Sequence, residues 1–333
     1  MRLENVLALT HAKLINKPFV NSFENIVFEA KAVKRGDLFL AFNEDEIEGA
    51  ILNGAYGIIF DKPVQMSDSE IAWMQVPNIE DALVRLLRFH LVEKEMTTYE
   101  CNEIILKLAL GVIGEPNFIV LHADIQTISK LLWNAPKKST LLFCPDFCSR
   151  DLFTDIKIVP PAPANSINIV EKTLFETSFI YEDVFYERQL LSPFFIPYLE
   201  ELLYLLKTLK INYRLRKFTQ IDHFQAVFTN KKFEQKEFGS SDKVLIFEKN
   251  AQLIILEINF LQKNAAWADT VYLLPYALFQ EFDICANVFF YKKTQDIFDI
   301  LKKNKFHFAL IAGVDKSILS EAKMQHRQLT LDF

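Results

Sequence analysis

Short apolar runs alternate with segments of helical periodicity along most of the chain. This alternation predicts an α/β fold in which helices cover mostly parallel sheets. Apolar residues spaced three and four apart predict helices over 4–14, 46–53, 79–92, 98–110, 124–133, 197–210 and 294–303. Apolar or alternating runs predict strands over 22–30, 38–42, 56–60, 73–76, 118–121, 140–143, 243–247, 252–258, 270–274, 287–290 and 307–311.

The chain is long enough for two or three hydrophobic cores, because it has 333 residues. Residues 159–166, VPPAPANS, are stiff and unsuited to a helix, so they are the best candidate for a connector. We predict three domains, over residues 1–95, 96–212 and 213–333.

Composition and charge exclude several classes of protein. Half of the residues are apolar and 24% are charged, which is typical of a globular protein with large cores and not of a disordered chain. The net charge of −6 argues against a nucleic-acid partner, because binding phosphates requires a basic surface. No secretion signal and no uncharged apolar run long enough for membrane insertion is found. We therefore expect a cytoplasmic protein.

Two glycines mark turns near the start of a chain that has eight. Gly36 lies in AVKRGDLFLAF, at the switch from basic to apolar residues, and Gly54 lies in NGAYG. A turn and a helix cap explain these glycines more simply than ligand binding does, because both positions favour a residue with free backbone dihedrals. Asp37 can hydrogen-bond the backbone of the same turn.

Three segments, VKRGDLFLAF, AILNGAYGIIFDKPV and VPNIEDALVRLLRFH, share the order and spacing of the N-terminal domain of the Mur ligases. These are the ATP-dependent amino-acid and peptide ligases of peptidoglycan synthesis. The resemblance covers about residues 25–92 and is nearest to the muramoyl-tripeptide D-alanyl-D-alanine ligase branch. It implies a small N-terminal α/β domain, a central mostly parallel sheet domain and a C-terminal Rossmann-like domain.

The resemblance also implies a nucleotide-sugar pocket. Glu29, Ala30 and Lys31 stand where the family has an aspartate-serine-arginine triplet, so the acid and the base survive but the hydroxyl does not. Lys31 can meet a diphosphate as a point charge, without the bidentate fork of arginine. Asp37 and Phe39, on the turn and strand that frame the pocket, complete the predicted ligand-binding set.

Other parts of the family pattern are missing. The loop after the strand is shortened to the acidic residues 43–48, which repel a diphosphate. The family's phosphate loop, a glycine-rich turn ending in Gly-Lys-Thr, is absent. At the corresponding place, Met96–Glu100 has the threonines of that motif but neither its glycines nor its lysine. The nearby pair Gly111 and Gly114 follows a predicted helix instead of preceding one. Residues 289–313 and the segment Gly313–Ser317 resemble the family's C-terminal domain more weakly.

Without that loop we find no residues to position the phosphates, so we expect no nucleotide cofactor and no catalytic residue. The favoured hypothesis is a non-catalytic Mur-ligase relative that binds a UDP-muramoyl-peptide or a cell-wall synthesis protein. One alternative is an active ATP-dependent ligase with an unrecognised nucleotide site. The other is a general protein-interaction module that reuses the fold.

The remaining polar motifs have structural explanations. Asp124 in His122-Ala123-Asp124 is expected to cap a helix, and His223 to be an ordinary structural histidine. Cys144 and Cys148 lie four residues apart, so they suit zinc if His122 or another ligand joins them, but two reduced thiols are the simpler interpretation. Cys101 and Cys285 are likewise expected to be reduced thiols.

Overall fold

The structure, a computed structural model, describes residues 1–163, 165–241, 243–279 and 287–320, without the side chain of Ile113. The chain forms two compact units. Unit 1 comprises Met1–Leu106, Gly114–Val159 and Lys210–Tyr213, and unit 2 comprises the rest of the described chain. The division into three domains stays a prediction, and Cys285 lies outside the described residues.

Five helices and ten strands precede the connector. The helices are α1 (Leu3–Thr10), α2 (Ile47–Leu52), α3 (Ile79–Glu93), α4 (Glu103–Leu110) and α5 (Ile125–Asn134). The strands are β1 (Lys13–Leu14), β2 (Ile26–Val27), β3 (Leu38–Leu40), β4 (Gly57–Phe60), β5 (Ala72–Gln75), β6 (Thr97–Glu100), β7 (Val112–Gly114), β8 (Phe118–Leu121), β9 (Thr140–Phe143) and β10 (Ile156–Ile158).

Three helices and nine strands follow it in the described chain. The helices are α6 (Ile196–Thr208), α7 (Ile254–Asn264) and α8 (Thr294–Lys303). The strands are β11 (Asn168–Lys172), β12 (Thr177–Tyr181), β13 (Val184–Gln189), β14 (Tyr213–Leu215), β15 (Gln225–Thr229), β16 (Lys243–Glu248), β17 (Thr270–Pro275), β18 (Val288–Tyr291) and β19 (Phe308–Ala312). None of the described helices combines the length and the hydrophobicity that a membrane crossing requires.

Unit 1 contains two sheets that are mostly parallel. The first has the order β1-β5-β4-β3-β2, in which only the β1–β5 pair is antiparallel. Its strands are buried on both faces: Leu38 and Leu40 face one core cluster, and Phe39 faces another. The second sheet, β10-β6-β9-β8, is parallel throughout.

Unit 2 contains a small antiparallel sheet and a larger mixed sheet. The small sheet has the order β11-β12-β13. The larger one has the order β15-β16-β19-β17-β18, and its last four strands are parallel. Its core includes Leu245, Leu273 and Ile311, which are fully buried.

Two predicted elements are wrong in type. The helix predicted over 98–110 begins at Glu103, and its first three residues, 98–100, belong to the strand β6 between β10 and β9. Its β-branched and aromatic residues suit that central position. Residues 252–258 were predicted as a strand, but α7 begins at Ile254 because Ile254 and Leu261, seven residues apart, bury one helical face.

Two predicted boundaries are also wrong. Residues 22–30 were expected to form one strand, but β2 covers Ile26–Val27 and a 3₁₀ turn follows at Ala30–Ala32. The first helix ends at Thr10, whose hydroxyl donates to the carbonyl of Val6, and β1 begins at Lys13. Tertiary pairing of β1 with β5 thus replaces the end of the predicted helix.

Candidate functional site

The predicted nucleotide-sugar residues surround a turn that leads into β3. Gly36 takes a φ of +100° and donates its N–H to the carbonyl of Gly54, which itself has a φ of +96°. The two glycines therefore hold each other in conformations that disfavour other residues. Asp37 lies beneath the turn, 2% exposed, and accepts bonds from the Asn25 side chain (3.0 Å) and the Lys34 backbone (2.9 Å).

Ala30 and Phe39 come together in one buried cluster. Phe39 is 1% exposed, so its ring forms part of the core. The backbone groups of Ala30 already have partners: its N–H donates to Glu46 Oε2 (2.8 Å), and its carbonyl accepts from Asn53 Nδ2 (2.9 Å). The shortened acidic loop thus supplies a carboxylate to a backbone donor of the predicted pocket.

Glu29 and Lys31 flank Ala30 on the surface. Glu29 pairs with the ammonium group of Lys130 on α5, and this hydrogen bond lowers the pKa of Glu29. Lys31 is the one basic residue of the predicted set, and it is exposed. Whether these five residues bind a nucleotide sugar stays a prediction.

The turn between β6 and α4 is the strand-to-helix turn nearest to the expected position of a phosphate loop. It has two residues, Cys101 and Asn102. Asn102 Oδ1 accepts the N–H of Ile105 (2.9 Å) and so uses one of the helix's free donors. The thiol of Cys101 points inward and donates to the carbonyl of Phe143 (3.4 Å).

Carboxylates lie on both sides of this turn. Glu100 is the last residue of β6 and forms a two-bond pair with Arg150, whose Nε lies 2.7 Å from Glu100 Oε2. Glu103 opens α4 in its first turn. A triphosphate needs several backbone N–H groups in an open loop and a lysine beside them. The two-residue turn and its acidic neighbours do not fit ATP.

The three described thiols are buried. Burial raises the pKa of Cys144 to about 12 and that of Cys148 to about 11, so both are protonated at neutral pH. Cys144 Sγ donates to Asp146 Oδ2 (3.3 Å). Within the described residues, no three His, Cys, Asp or Glu side chains form a metal-binding group.

The ring of His122 packs against Phe147, with 4.8 Å between centroids. The predicted cap by Asp124 is confirmed, because Asp124 Oδ1 accepts the N–H groups of Gln126 and Thr127, both at 3.0 Å. In the weakly matching segment Gly313–Ser317, Asp315 pairs with Lys249 (2.5 Å) and accepts the N–H of Ser317 (2.7 Å).

A buried polar cluster in unit 2 was not predicted. It consists of His223, Glu248 at the end of β16, and Glu257 on α7, which are at most 3% exposed. Glu248 accepts from His223 Nδ1 (3.0 Å) and from the backbone of Phe224 (3.1 Å) and Asn250 (2.6 Å). The sequence signal for this cluster was the carboxylate of Glu248, which directly follows the apolar run KVLIF.

The two carboxyl groups of this cluster have opposite pKa shifts. Burial and the neighbouring Glu248 charge raise the pKa of Glu257 well above 4.5. Burial also disfavours the charge on Glu248, but hydrogen bonds from His223, from Glu257 and from the backbone outweigh this and lower the pKa of Glu248. Of the two carboxyl groups, Glu257 therefore holds its proton more tightly than Glu248 does. All three side chains are buried, and a structural role for His223 stays a prediction.

Comparison with solved structures identifies the architecture. The UDP-N-acetylmuramoylalanyl-D-glutamyl-2,6-diaminopimelate–D-alanyl-D-alanyl ligase from Acinetobacter baumannii matches with a TM-score of 0.50 at 10% identity, over 97% of this chain and 98% of that one. A crystal structure of MurF from the same organism matches with a TM-score of 0.52 at 10% identity, over 98% of each chain. The chain has a Mur-ligase-like fold.

The predicted resemblance to the Mur ligases and the predicted fold class are therefore confirmed. No protein-family model and no curated protein matches the sequence. At 10% identity the likeness concerns the fold. The Mur-ligase-like fold is thus present around a β6–α4 turn that does not fit a nucleotide triphosphate.

Proposed function

We propose that this chain is a non-catalytic Mur-ligase-like protein with a binding or scaffolding role in cytoplasmic peptidoglycan-precursor metabolism. The observation that carries the proposal is the β6–α4 turn of Cys101 and Asn102, with Glu100 and Glu103 beside it. Activating a carboxylate by phosphoryl transfer requires positioned phosphates and neutralising cations. This turn offers a capped helix end and two carboxylates instead.

The proposed ligand is a UDP-muramoyl peptide bound near the turn of Gly36. Lys31 is the exposed cation of the predicted pocket. In this proposal it meets the diphosphate alone, because Lys130 is paired with Glu29 and the N–H of Ala30 is bonded to Glu46. One point charge without a bidentate partner favours weak, salt-sensitive binding.

A thermal-shift experiment with two ligands tests both parts. Ligands that bind the folded state raise the melting temperature, so UDP-muramoyl tripeptide should produce a saturable increase and ATP–Mg²⁺ none. Lys31→Met should reduce the response to the precursor, because it removes the charge that faces the diphosphate. Lys13→Met, at another exposed lysine of unit 1, is the matched control and should leave the response unchanged.

The other outcomes separate the alternatives. A saturable shift with ATP–Mg²⁺ contradicts the non-catalytic proposal and favours an active ligase. The absence of a precursor response contradicts precursor binding and favours the general protein-interaction module. An equal loss in Lys31→Met and Lys13→Met contradicts the assignment to the predicted pocket.

A further inference from the structure

A cavity of ≈ 510 Å³ opens in unit 2 beside the first residues of β16 and β19. It lies at the amino ends of these parallel strands, the edge opposite to the one where doubly wound sheets usually bind ligands. Its volume is within the range of about 300–1,000 Å³ that is typical of small-molecule sites. Its walls are mainly apolar and include six aromatic rings, those of Phe175, Phe228, Phe238, Phe260, Trp267 and Phe308.

Trp267 is the unusual member of this wall. Its side chain is 74% exposed, although its ring meets Phe308 edge-on with 5.9 Å between centroids. Phe238, also on the wall, is 39% exposed. A flat apolar ligand that binds in the cavity would bury the exposed surface of these aromatic rings, and this burial favours binding. The wall therefore favours a ring system as the occupant.

The charged groups at the cavity favour an anion. Glu176 faces Arg188 at 3.8 Å, so its charge is compensated. Lys172, at the end of β11, lines the cavity and has no ion-pair partner within the described part of the chain. Among the described residues that line the cavity, Lys172 therefore carries the charge that no opposite charge compensates.

His307 adds a hydrogen-bond donor to the same wall. Its Nδ1 accepts the backbone N–H of Asp269 at 3.0 Å. In the neutral imidazole this bond places the proton on Nε2, so the ring offers an N–H group. A carboxylate or similar anionic group can accept from that donor and from the Lys172 ammonium group.

We propose that this cavity binds a small aromatic molecule that carries an anionic group. The ring lies against Trp267, and the anionic group lies towards Lys172 and His307. The proposal goes beyond the function proposed above and does not depend on it, since precursor binding involves residues of unit 1. The proposal gives the chain a second ligand site, which lies at the amino ends of the parallel strands and not at the carboxyl ends where such sheets usually bind ligands.

The experiment uses 2-naphthoate as the anionic probe and 2-naphthalenemethanol as the neutral probe. The full chain is labelled with 5-fluorotryptophan, which gives fluorine resonances for Trp73, Trp133 and Trp267, the three tryptophans. Trp267→Phe assigns the relevant resonance. We expect naphthoate to shift the Trp267 resonance saturably, with little effect on Trp73 in the core or on Trp133 in unit 1.

Two variants test the two halves of the proposal. Lys172→Met should weaken naphthoate binding about three- to tenfold and leave the neutral probe unchanged, because it removes a charge at a partly exposed site. Phe238→Ala should weaken both probes by up to about tenfold, because it removes part of the aromatic wall. Phe185→Ala, at a ring that is 53% exposed away from the cavity, should change neither.

Three results would overturn the proposal. The first is a Trp267 resonance that does not move, and the second is an equal movement of all three resonances, which indicates non-specific binding. The third is naphthoate affinity that is unchanged in Lys172→Met, which rules out the anionic half. Melting temperatures of the variants close to that of the parent show that altered binding does not reflect unfolding.

Discussion

Glu257 shows how a single side chain sets a pH dependence. It is buried beside the Glu248 carboxylate, and a hydrogen bond from protonated Glu257 to Glu248 adds to the effect of burial. A second buried negative charge at this place is strongly disfavoured, so the folded state holds the proton of Glu257 more tightly. The unfolded chain releases that proton near the ordinary pKa of 4.5.

Replacing Glu257 with Gln should therefore reduce the loss of stability that the parent protein shows as pH rises. Because the pKa of Glu257 is raised in the folded state, its bound proton stabilises the fold. This contribution is complete below about pH 4.5 and is lost as pH rises through the raised pKa. Glu257→Gln cannot ionise, so its melting temperature should gain on the parent as pH rises above 4.5. Glu171→Gln, at an exposed carboxylate of the same unit, is the control and should follow the parent. A parallel decline in all three proteins contradicts this assignment.

Gly54 should be intolerant of a side chain for reasons of backbone geometry. Its φ is +96°, and an added Cβ would lie 3.1 Å from Arg35 Cα, which is backbone and cannot turn away. Gly54→Ala should lower the free energy of unfolding by about 1–3 kcal/mol, through strain and this contact. Urea unfolding measures the change.

Gly49→Ala is the matched control in the same unit. Gly49 lies in α2 with an ordinary helical backbone, and its added Cβ would meet Ala30 Cβ at 3.4 Å, an ordinary contact. Alanine favours helix over glycine by up to about 1 kcal/mol, so this variant should be neutral or more stable. Equal losses in the two variants would show that space, and not φ, limits both positions.

Secondary-structure elements place the thiols where they cannot react. Cys101 follows β6 and Cys144 follows the neighbouring β9, so both lie under the same sheet edge, and Cys148 is buried nearby. With a pKa of about 11, roughly one Cys148 in a thousand is a thiolate at pH 8. The thiols should thus be inert in the folded protein.

A Cys285→Ser variant isolates these three thiols for titration with a chromogenic disulfide. We expect slow labelling of the folded protein and rapid labelling of three thiols in urea. Rapid, stoichiometric labelling of any thiol without denaturant would contradict the burial and the raised pKa values on which this expectation depends.

Local signals predicted much of this fold, because they act within a few residues. Asn78 caps α3 through a bond from Asp81 N (2.9 Å), and Asp124 caps α5 in the same way. Glycine positions marked the turn into β3. The types of β6 and α7 escaped prediction: β6 is the short polar run TTYE, and the start of α7 is an apolar run that suits helix and strand equally. The neighbours that decide both types are distant in sequence.

The contacts of the candidate site were harder to predict from the sequence than the secondary structure was. Residues 29–31 were located from their spacing to Gly36, but the bonds from Glu46 and Asn53 that occupy the backbone of Ala30 arise from 16 and 23 residues away. His223 and Glu248 are 25 residues apart and meet through the fold. No short-range pattern encodes such pairs, whereas the missing glycine loop was visible from the sequence alone.

The whole molecule combines a Mur-ligase-like fold with a two-residue β6–α4 turn. The chain spans 98% of a Mur ligase structure, yet its β6–α4 turn holds two residues between two glutamates. A fold does not itself supply a reaction, since chemistry depends on the groups at a site. We therefore expect an intact scaffold that does not catalyse phosphoryl transfer.

Acceptor-dependent release of ADP tests this claim most directly. The purified chain is incubated with ATP, Mg²⁺, UDP-muramoyl tripeptide and D-alanyl-D-alanine, and MurF from Acinetobacter baumannii is assayed in parallel to validate the reagents. We predict that ADP forms no faster with this chain than in a mixture without protein. ADP release that depends on both the chain and the dipeptide would contradict it.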